Sequence, residues 1–457
     1  MSEEITKDFK RIAPKRWKRY PRYKDSGVEW IGEIPEEWKN VRLKHLTKKI
    51  GSGITPRGGA ESYLVSGIPL IRSQNVQFEG LSREGLAYIS DEQNEKMINS
   101  KALPNDVLLN ITGASIGRTC MVPQNMGQSN VNQHVCIIRP KKSSFSQFIW
   151  RFLSSHVGQI QVFEGEDGIS REGLNFERIK NFVITLPPDE DIERIAAYLD
   201  RDSTAIISLI SKKQRLIELL KEKRAAIITR AVTKGLDPNA PMKDSGVEWI
   251  GEMPKHWNIG LIKQGYQVTL GKMLQPNKRS ENDFEAPYLR SANIQDGFVD
   301  TSEIKTMYFN KSEDHLLLEE GDLLVCEGGD VGRAAIWSNQ VSNCRFQNSI
   351  NRIRSKTNSV RYLFYLLKAS KRSGFIDFLC NRATISHFTA EKVKGLRIVY
   401  PDMTEQLKIA NYLDKETSRM NSFISKIEKS IELLKEYRSA LITAAVTGKI
   451  DVREEVP

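Results

Sequence analysis

The sequence predicts an α+β protein: two tandem-duplicated α/β domains and two long helices that pair antiparallel as a coiled coil about a pseudo-two-fold axis. Repetition is the first observation behind this. Residues 24–33 read KDSGVEWIGE, and the same ten residues return at 243–252, an offset of 219. Residues 217–222 (IELLKE) return at 431–436 and residues 228–229 (IT) at 442–443, an offset of 214. Self-similarity at a near-constant offset marks a chain built twice. Between these ends only islands agree: PLIRS at 69–73 with PYLRS at 287–291, and IGR at 116–118 with VGR at 331–333.

Periodicity is the second observation. Ile192, Ile195, Leu199, Ile206, Ile210, Ile217, Leu220, Ile227 and Ala231 recur at steps of three, four or seven, one face of a long helix. Pro187 and Pro188 precede it, Asp189, Glu190 and Asp191 suit the positive end of a helix dipole, and Gly235 and Pro238 follow at a stop. The second copy repeats the face with Ile409, Leu413, Met420, Ile424, Ile427, Ile431, Leu434 and Leu441, between Pro401 and Gly448. Each helix is expected to run roughly 43 residues, about 65 Å. One narrow stripe is buried most economically against the other, with Ile217, Leu220, Ile228, Ile431, Leu434 and Ile442 as pairing residues; each helix docking on its own domain is the alternative.

The resulting divisions are a basic N-terminal arm at 1–23, a first domain at 24–188, the central helix at 189–235, a second domain at 236–401, the last helix at 402–447 and a tail at 448–457. Each domain mixes β-like runs, such as those at 106–109, 135–138, 322–325 and 396–399, with helical stretches around 148–153 and 362–367. The repeated tryptophans, Trp30 with Trp38 and Trp249 with Trp257, are expected to cover one end of each core, base stacking being the other reading.

Composition narrows the class. With 457 residues, 39% hydrophobic and 27% charged, the chain supports several proper cores. Five scattered cysteines without a CxxC pair argue against a zinc site or a disulfide framework and fit a reducing cytosol. No apolar run approaches the ~18 residues of a membrane span, so a cytoplasmic protein with no membrane partner is expected. A net charge of +11 favours a polyanionic partner. Part of the excess lies in the arm, where Trp17, Tyr20 and Tyr23 interleave with Lys and Arg; it lies either along a phosphate backbone or in solvent.

Catalytic chemistry is not legible. There is no GxxxxGK[ST], HExxH, GxSxG or nucleotide-binding GxGxxG, nor the [DNS]PP[YF] with which amino-methyltransferases hold a flipped base. The loops at 113–117 (GASIG) and 328–332 (GGDVG) are either phosphate cradles or tight turns. No catalytic residue, metal site or cofactor is expected in this chain.

The repeated KDSGVEWIGE-[IM]-P-x-x-W opening, the PLIRS and PYLRS segments, the D-[VL]-L-[LV] strands leading to glycine loops that end in Gly-Arg, and the IELLKExR helix ends together resemble the specificity subunit of type I restriction-modification enzymes, over almost the whole chain. The resemblance implies two target-recognition domains, each reading one half of an asymmetric, split double-stranded DNA site, held apart by the helices. It also implies two methyltransferase subunits as partners, with restriction subunits as an optional further pair in defence against foreign DNA. Adenine methylation with S-adenosylmethionine and cleavage driven by ATP with Mg belong, on this resemblance, to those partner chains. The alternatives are a stand-alone DNA-modifying or DNA-cutting enzyme and a coiled-coil adaptor that binds no DNA.

Internal comparison then sorts residues. A group kept in both halves cannot by itself explain two different half-sites, so shared residues are expected to position and divergent ones to specify. Arg72, Ser73, Arg118, Arg290, Ser291 and Arg333 are the shared candidates, for phosphate contacts or for scaffold hydrogen bonds. Base readout calls for Arg or Lys against guanine and Asn or Gln against adenine. The candidates are Arg57, Gln74, Asn75, Asn130 and Asn132 in the first domain, and Lys278, Arg279, Asn293, Gln295 and Arg345 in the second.

Overall fold

The computed structural model describes residues 17–56, 58–163, 173–380 and 387–455. They form two compact units: one holds the described residues up to Gln214 together with those from Glu428 on, and the other holds Arg215–Ile427. Each unit has the same plan.

In the first, four antiparallel strands carry the core: β1 (Thr47–Ser52), β3 (Val107–Asn110), β4 (Thr119–Met121) and β6 (Val135–Pro140), in the order β4-β3-β6-β1. Leu108 lies opposite both Cys120 and Ile137, and Ile138 opposite Ile50. Helix α1 (Ser144–Ser154) lays Phe148, Ile149, Phe152 and Leu153 into this core. A second, smaller sheet includes a parallel pair, β2 (Ile68–Ile71) with β5 (Ser129–Val131), in which Asn130 faces Leu70.

The second unit repeats this with β7 (Tyr266–Leu270), β9 (Leu323–Cys326), β10 (Ala334–Ile336) and β12 (Ile350–Ser355) in the order β7-β12-β9-β10. The parallel pair recurs as β8 (Asp283–Leu289) with β11 (Arg345–Phe346), Tyr288 facing Arg345. Helix α3 (Val360–Arg372) takes the place of α1. The shared aspartate just before each central strand has a structural role. Asp106 is buried and binds the Arg139 guanidinium through two bonds of 2.8 Å; buried Asp322 binds Arg354 in the same way, at 2.5 and 2.9 Å.

The two long helices are α2 (Asp189–Lys234) and α4 (Met403–Val446). Each begins in one unit and ends in the other. In the first unit, Ile192, Ile195, Leu199 and Ile206 of α2 share one core with Leu434, Leu441, Ile442 and Val446 of α4. In the second, Ile228, Ala231 and Val232 of α2 share a core with Ile409 and Leu413 of α4. Within each unit the segments run antiparallel: Arg453, just beyond α4, reaches Asp191 at 3.7 Å near the start of α2, and in the second unit Arg224 bonds Asn421 while Gly235 lies beside Glu405. The stripe therefore serves both readings offered above, helix against helix and helix against domain.

Both helix ends are finished alike. Gly235 and Gly448 take φ of +76° and +68°, the left-handed conformation that ends a helix. The terminal carbonyls, which lack partners within a helix, accept from domain hydroxyls: Val446 from Thr185 at 2.5 Å, Val232 from Tyr362 at 3.1 Å. A lysine beside each glycine, Lys234 or Lys449, donates to the carbonyl of Glu252 or Glu33 in the repeated opening hairpin.

Three expectations are corrected. The arm is not free as far as Tyr23, because Tyr20 is buried against Trp38, Trp17 packs edge-on to Tyr198, and Tyr23 donates to the Gly448 carbonyl at 3.0 Å. Its aromatic rings serve packing; residues 1–16 lie outside the described residues. The segment after α4 is no tail, since Ile450 and Val452 are buried in the first core. Of the repeated tryptophans, Trp38 and Trp257 are fully buried, whereas Trp30 is 45% exposed.

Close backbone approach fixes one more shared position. A Cβ on Gly53 would stand 1.8 Å from the Val131 carbonyl oxygen, and one on Gly271 2.2 Å from that of Gln347. Gly271→Ala is expected to lower stability by about 3 kcal/mol, read from urea unfolding monitored by tryptophan fluorescence. A loss under about 0.5 kcal/mol, the range of an ordinary surface substitution, would contradict this packing.

Candidate nucleic-acid interface

The shared arginines sit in a framework that both domains build in the same way. Arg72 and Arg290 precede a 3-10 turn with φ of −110° and −111°, and each backbone N–H donates to the side-chain oxygen of an asparagine three residues on, Asn75 or Asn293. The amide of Asn75 in turn donates to the carbonyls of Ser82 and Glu84, that of Asn293 to those of Asp300 and Glu303. Gln77 and Gln295 close the turn by donating to the Gln74 and Ala292 carbonyls at 2.7 and 2.8 Å. The repeated unit is thus R-S-x-N-[VI]-Q, longer than the RS pair.

The other shared groups belong to the same framework. Arg118 donates to Gln77 Oε1 at 3.2 Å, Arg333 to the Ser291 carbonyl at 2.9 Å, and Arg72 to the Gly85 carbonyl at 2.7 Å. Arg290 pairs with Glu303 at 3.3 Å. The Ser73 carbonyl accepts from Asn110, and the Ser291 N–H donates to Ser349 Oγ. For all six residues the visible bonds are scaffold bonds.

The readout candidates divide sharply. Asn75, Asn293 and Gln295 are shared framework, and the buried amides of the first two are engaged, so they leave the divergent set. Asn130 is fully buried and donates to Asn94 Oδ1 and the Met97 carbonyl. Asn132 is buried and accepts from the His134 N–H at 3.2 Å. Arg345 is 5% exposed, paired with Asp314 at 2.9 Å and laid over the rings of Phe284 and Phe309 at 4.8 and 5.2 Å. These three cannot meet a base edge without unpacking. Arg57 lies outside the described residues. Gln74, Lys278 and Arg279 are exposed. The loop carrying the last two is pinned by Asp283, whose carboxylate accepts from Gln275 and from the backbone of Arg279 and Ser280. Those bonds, the Arg279 N–H foremost, hold its pKa below the usual carboxylate value.

Sequence reasoning missed a polar corner that the topology assembles. In the first domain Ile111 follows β3, its N–H donates to the His134 carbonyl, and its own carbonyl accepts from Leu174. Beside it Thr112 Oγ1 and His134 Nδ1 lie 2.6 Å apart, and Gln133 Nε2 reaches His134 Nε2 at 2.9 Å. In the second domain Glu327 follows β9, bonds Ser349 and Phe388 through the same two backbone groups, and has His387 for a neighbour, while Asn348 precedes Ser349 in the chain. The backbone is equivalent and the side chains differ: Thr112, Gln133 and His134 against Glu327, Asn348, Ser349 and His387. Placement one or two residues beyond the D-[VL]-L-[LV] strands is the only sequence signal for this corner.

Among the described residues no group of three or more His, Cys, Asp or Glu is placed to hold a metal, and no helix is long and apolar enough to cross a membrane. All five cysteines are buried and free; burial pushes the thiols of Cys120, Cys136 and Cys344 up to about 12. Arg345→Ala removes a buried guanidinium and uncovers two rings, with an expected loss of about 2–3 kcal/mol. Lys278→Ala is expected to stay within about 0.5 kcal/mol. Urea midpoints at constant slope distinguish the two, and equal midpoints would show that Arg345 is not a core residue.

Comparison with known proteins agrees with this duplicated plan. The model for the type I restriction modification DNA specificity domain matches twice, over residues 35–219 and 254–433. The type I restriction enzyme MjaVIII specificity subunit of Methanocaldococcus jannaschii is 22% identical over 436 residues, covering 92% of this chain and 94% of its own. The EcoKI specificity subunit of Escherichia coli K12 is 19% identical over 438 residues, covering 92% and 90%. A chain from a structure describing complex assembly and conformational transition of the type I R-M system shares the fold with a TM-score of 0.68 at 15% identity, over 90% of this chain and 98% of that one. With two family matches that together span most of its length, one on each of two repeated α+β frameworks, this chain belongs to the type I restriction-modification DNA specificity subunits.

Proposed function

We propose that this DNA-specificity subunit reads a two-part, asymmetric site, one block through each α+β domain, and directs adenine methylation by two copies of a methyltransferase chain. Catalysis, with S-adenosylmethionine for methyl transfer and ATP with Mg for any cleavage, resides in the partner chains. The observation that carries the reading is the contrast between frame and corner. Both domains repeat the R-S-x-N-[VI]-Q turn and the Gly-Arg loop, yet present different polar groups at the equivalent ends of β3 and β9. A common frame with unlike reading groups is what two unlike half-sites require.

The two long helices supply the second support. Residues 217–222 and 431–436 are identical while the domains diverge, and both copies leave a leucine exposed, Leu219 at 45% and Leu433 at 56%. Exposed apolar residues repeated on two helices suit one partner bound twice.

The test is a map of methylated adenines in host DNA with and without this chain. A two-block motif that vanishes on deletion is expected; an unchanged map would overturn the proposal. The role of phosphates is tested by titrating DNA binding of the assembled complex against salt. Lys278→Ala with Arg279→Ala is expected to make the slope of log K against log salt shallower by roughly 0.9 for each phosphate that the pair neutralises. An unchanged slope would remove that loop from the interface.

A further inference from the structure

Glu327 stands where the first domain packs an isoleucine. Ile111 and Glu327 occupy one backbone position: each donates its N–H to the strand-leading loop at His134 or Ser349, and each accepts at its carbonyl from Leu174 or Phe388. Ile111 is buried in the first core at 6% exposure. Glu327 is only partly exposed, and its Oε2 is buried with no hydrogen-bond partner among the described residues. Burial raises the pKa of this carboxyl, and the nearby His387 opposes the rise only in part. Phe388, which donates to the Glu327 carbonyl, accepts at its own carbonyl from the amide of the fully buried Asn351. The carboxyl of this partly exposed glutamate thus carries an oxygen with no donor among the described residues.

A carboxylate is an unfavourable neighbour for DNA unless it meets a donor. In the major groove adenine offers N6–H beside the acceptor N7, guanine offers O6 and N7, and thymine offers O4. Each of these edges sets a lone pair against the carboxylate. Cytosine N4–H₂ is the edge that presents a donor alone. We propose that Glu327 is a specificity residue of the second domain, accepting a hydrogen bond from the N4 amino group of a cytosine in the block that domain reads. The inference rests on the two-block reading proposed above. It assigns no counterpart to the first domain, where Ile111 has no polar group and Thr112, Gln133 and His134 hold the corner.

The experiment maps methylated adenines in a host that expresses the full chain with its methyltransferase partner, comparing wild type with Glu327→Ala and Glu327→Gln. Wild type is expected to require a C·G pair at one position of one block. In Glu327→Ala discrimination at that position alone is expected to fall roughly ten- to a hundredfold, and in Glu327→Gln preference is expected to move toward A·T, since an amide can donate to N7 and accept from N6–H. The other block stays unchanged and reports that the complex has assembled. If Glu327→Ala abolishes all methylation, Glu327→Ile restores the apolar packing of the sister domain and is expected to give the relaxed motif. An unaltered motif in Glu327→Gln and in either apolar variant overturns the inference. Absence of any two-block motif in wild type overturns instead the reading on which it rests.

Discussion

Each unit depends on burying the closing turns of a long helix. In the first unit Leu441, Ile442, Ala445 and Val446 of α4 complete a core whose other members begin near Tyr20, and in the second Ile228, Ala231 and Val232 of α2 do the same. The first core is closed by residues from a distant part of the chain, whereas the second lies within one continuous stretch, Arg215–Ile427. The chemistry of the junction explains why its residues recur: a left-handed glycine ends the helix, a domain hydroxyl takes a terminal carbonyl, and a lysine reaches the opening hairpin. Helices of 46 and 44 residues with one narrow stripe each are held by their ends more than by intrinsic propensity.

On that base the domains separate constraint from freedom. The sheets, the Asp–Arg pairs behind their central strands, and the R-S-x-N-[VI]-Q turns are fixed by mutual hydrogen bonding, where removing one partner leaves a buried group unsatisfied. The ends of β3 and β9 meet no such demand. There an isoleucine beside a threonine–histidine pair, or a glutamate near a histidine, fits the same backbone, and the divergence of a reading surface can accumulate without loss of the frame. The buried Arg345 shows the converse, since its charge is held by Asp314 and two rings and is unavailable to DNA.

The architecture is largely legible in the sequence because duplication and helical periodicity are linear signals. The KDSGVEWIGE repeat marks equivalent hairpins, and the stripes from Ile192 and Ile409 mark both long helices. The site is much less legible. Asn130 and Arg345 are base-reading residues by type, yet each lies in a strand that pairs in parallel within a small sheet, and both are buried. Asn75 and Asn293 pass for divergent residues only while the repeat is taken to end at Ser73 and Ser291; it continues through Gln77 and Gln295.

The sequence by itself determined the two-fold repetition, the helix stripes with their glycine stops, the basic balance and the family resemblance, since each is a pattern in residue order. Only the tertiary structure decided which polar residues are free to meet a ligand. That choice depends on which loops the sheet order brings together: His134 reaches Thr112 across 22 residues, and Phe388 reaches Glu327 across a longer stretch, through backbone hydrogen bonds and strand pairing that no local motif encodes.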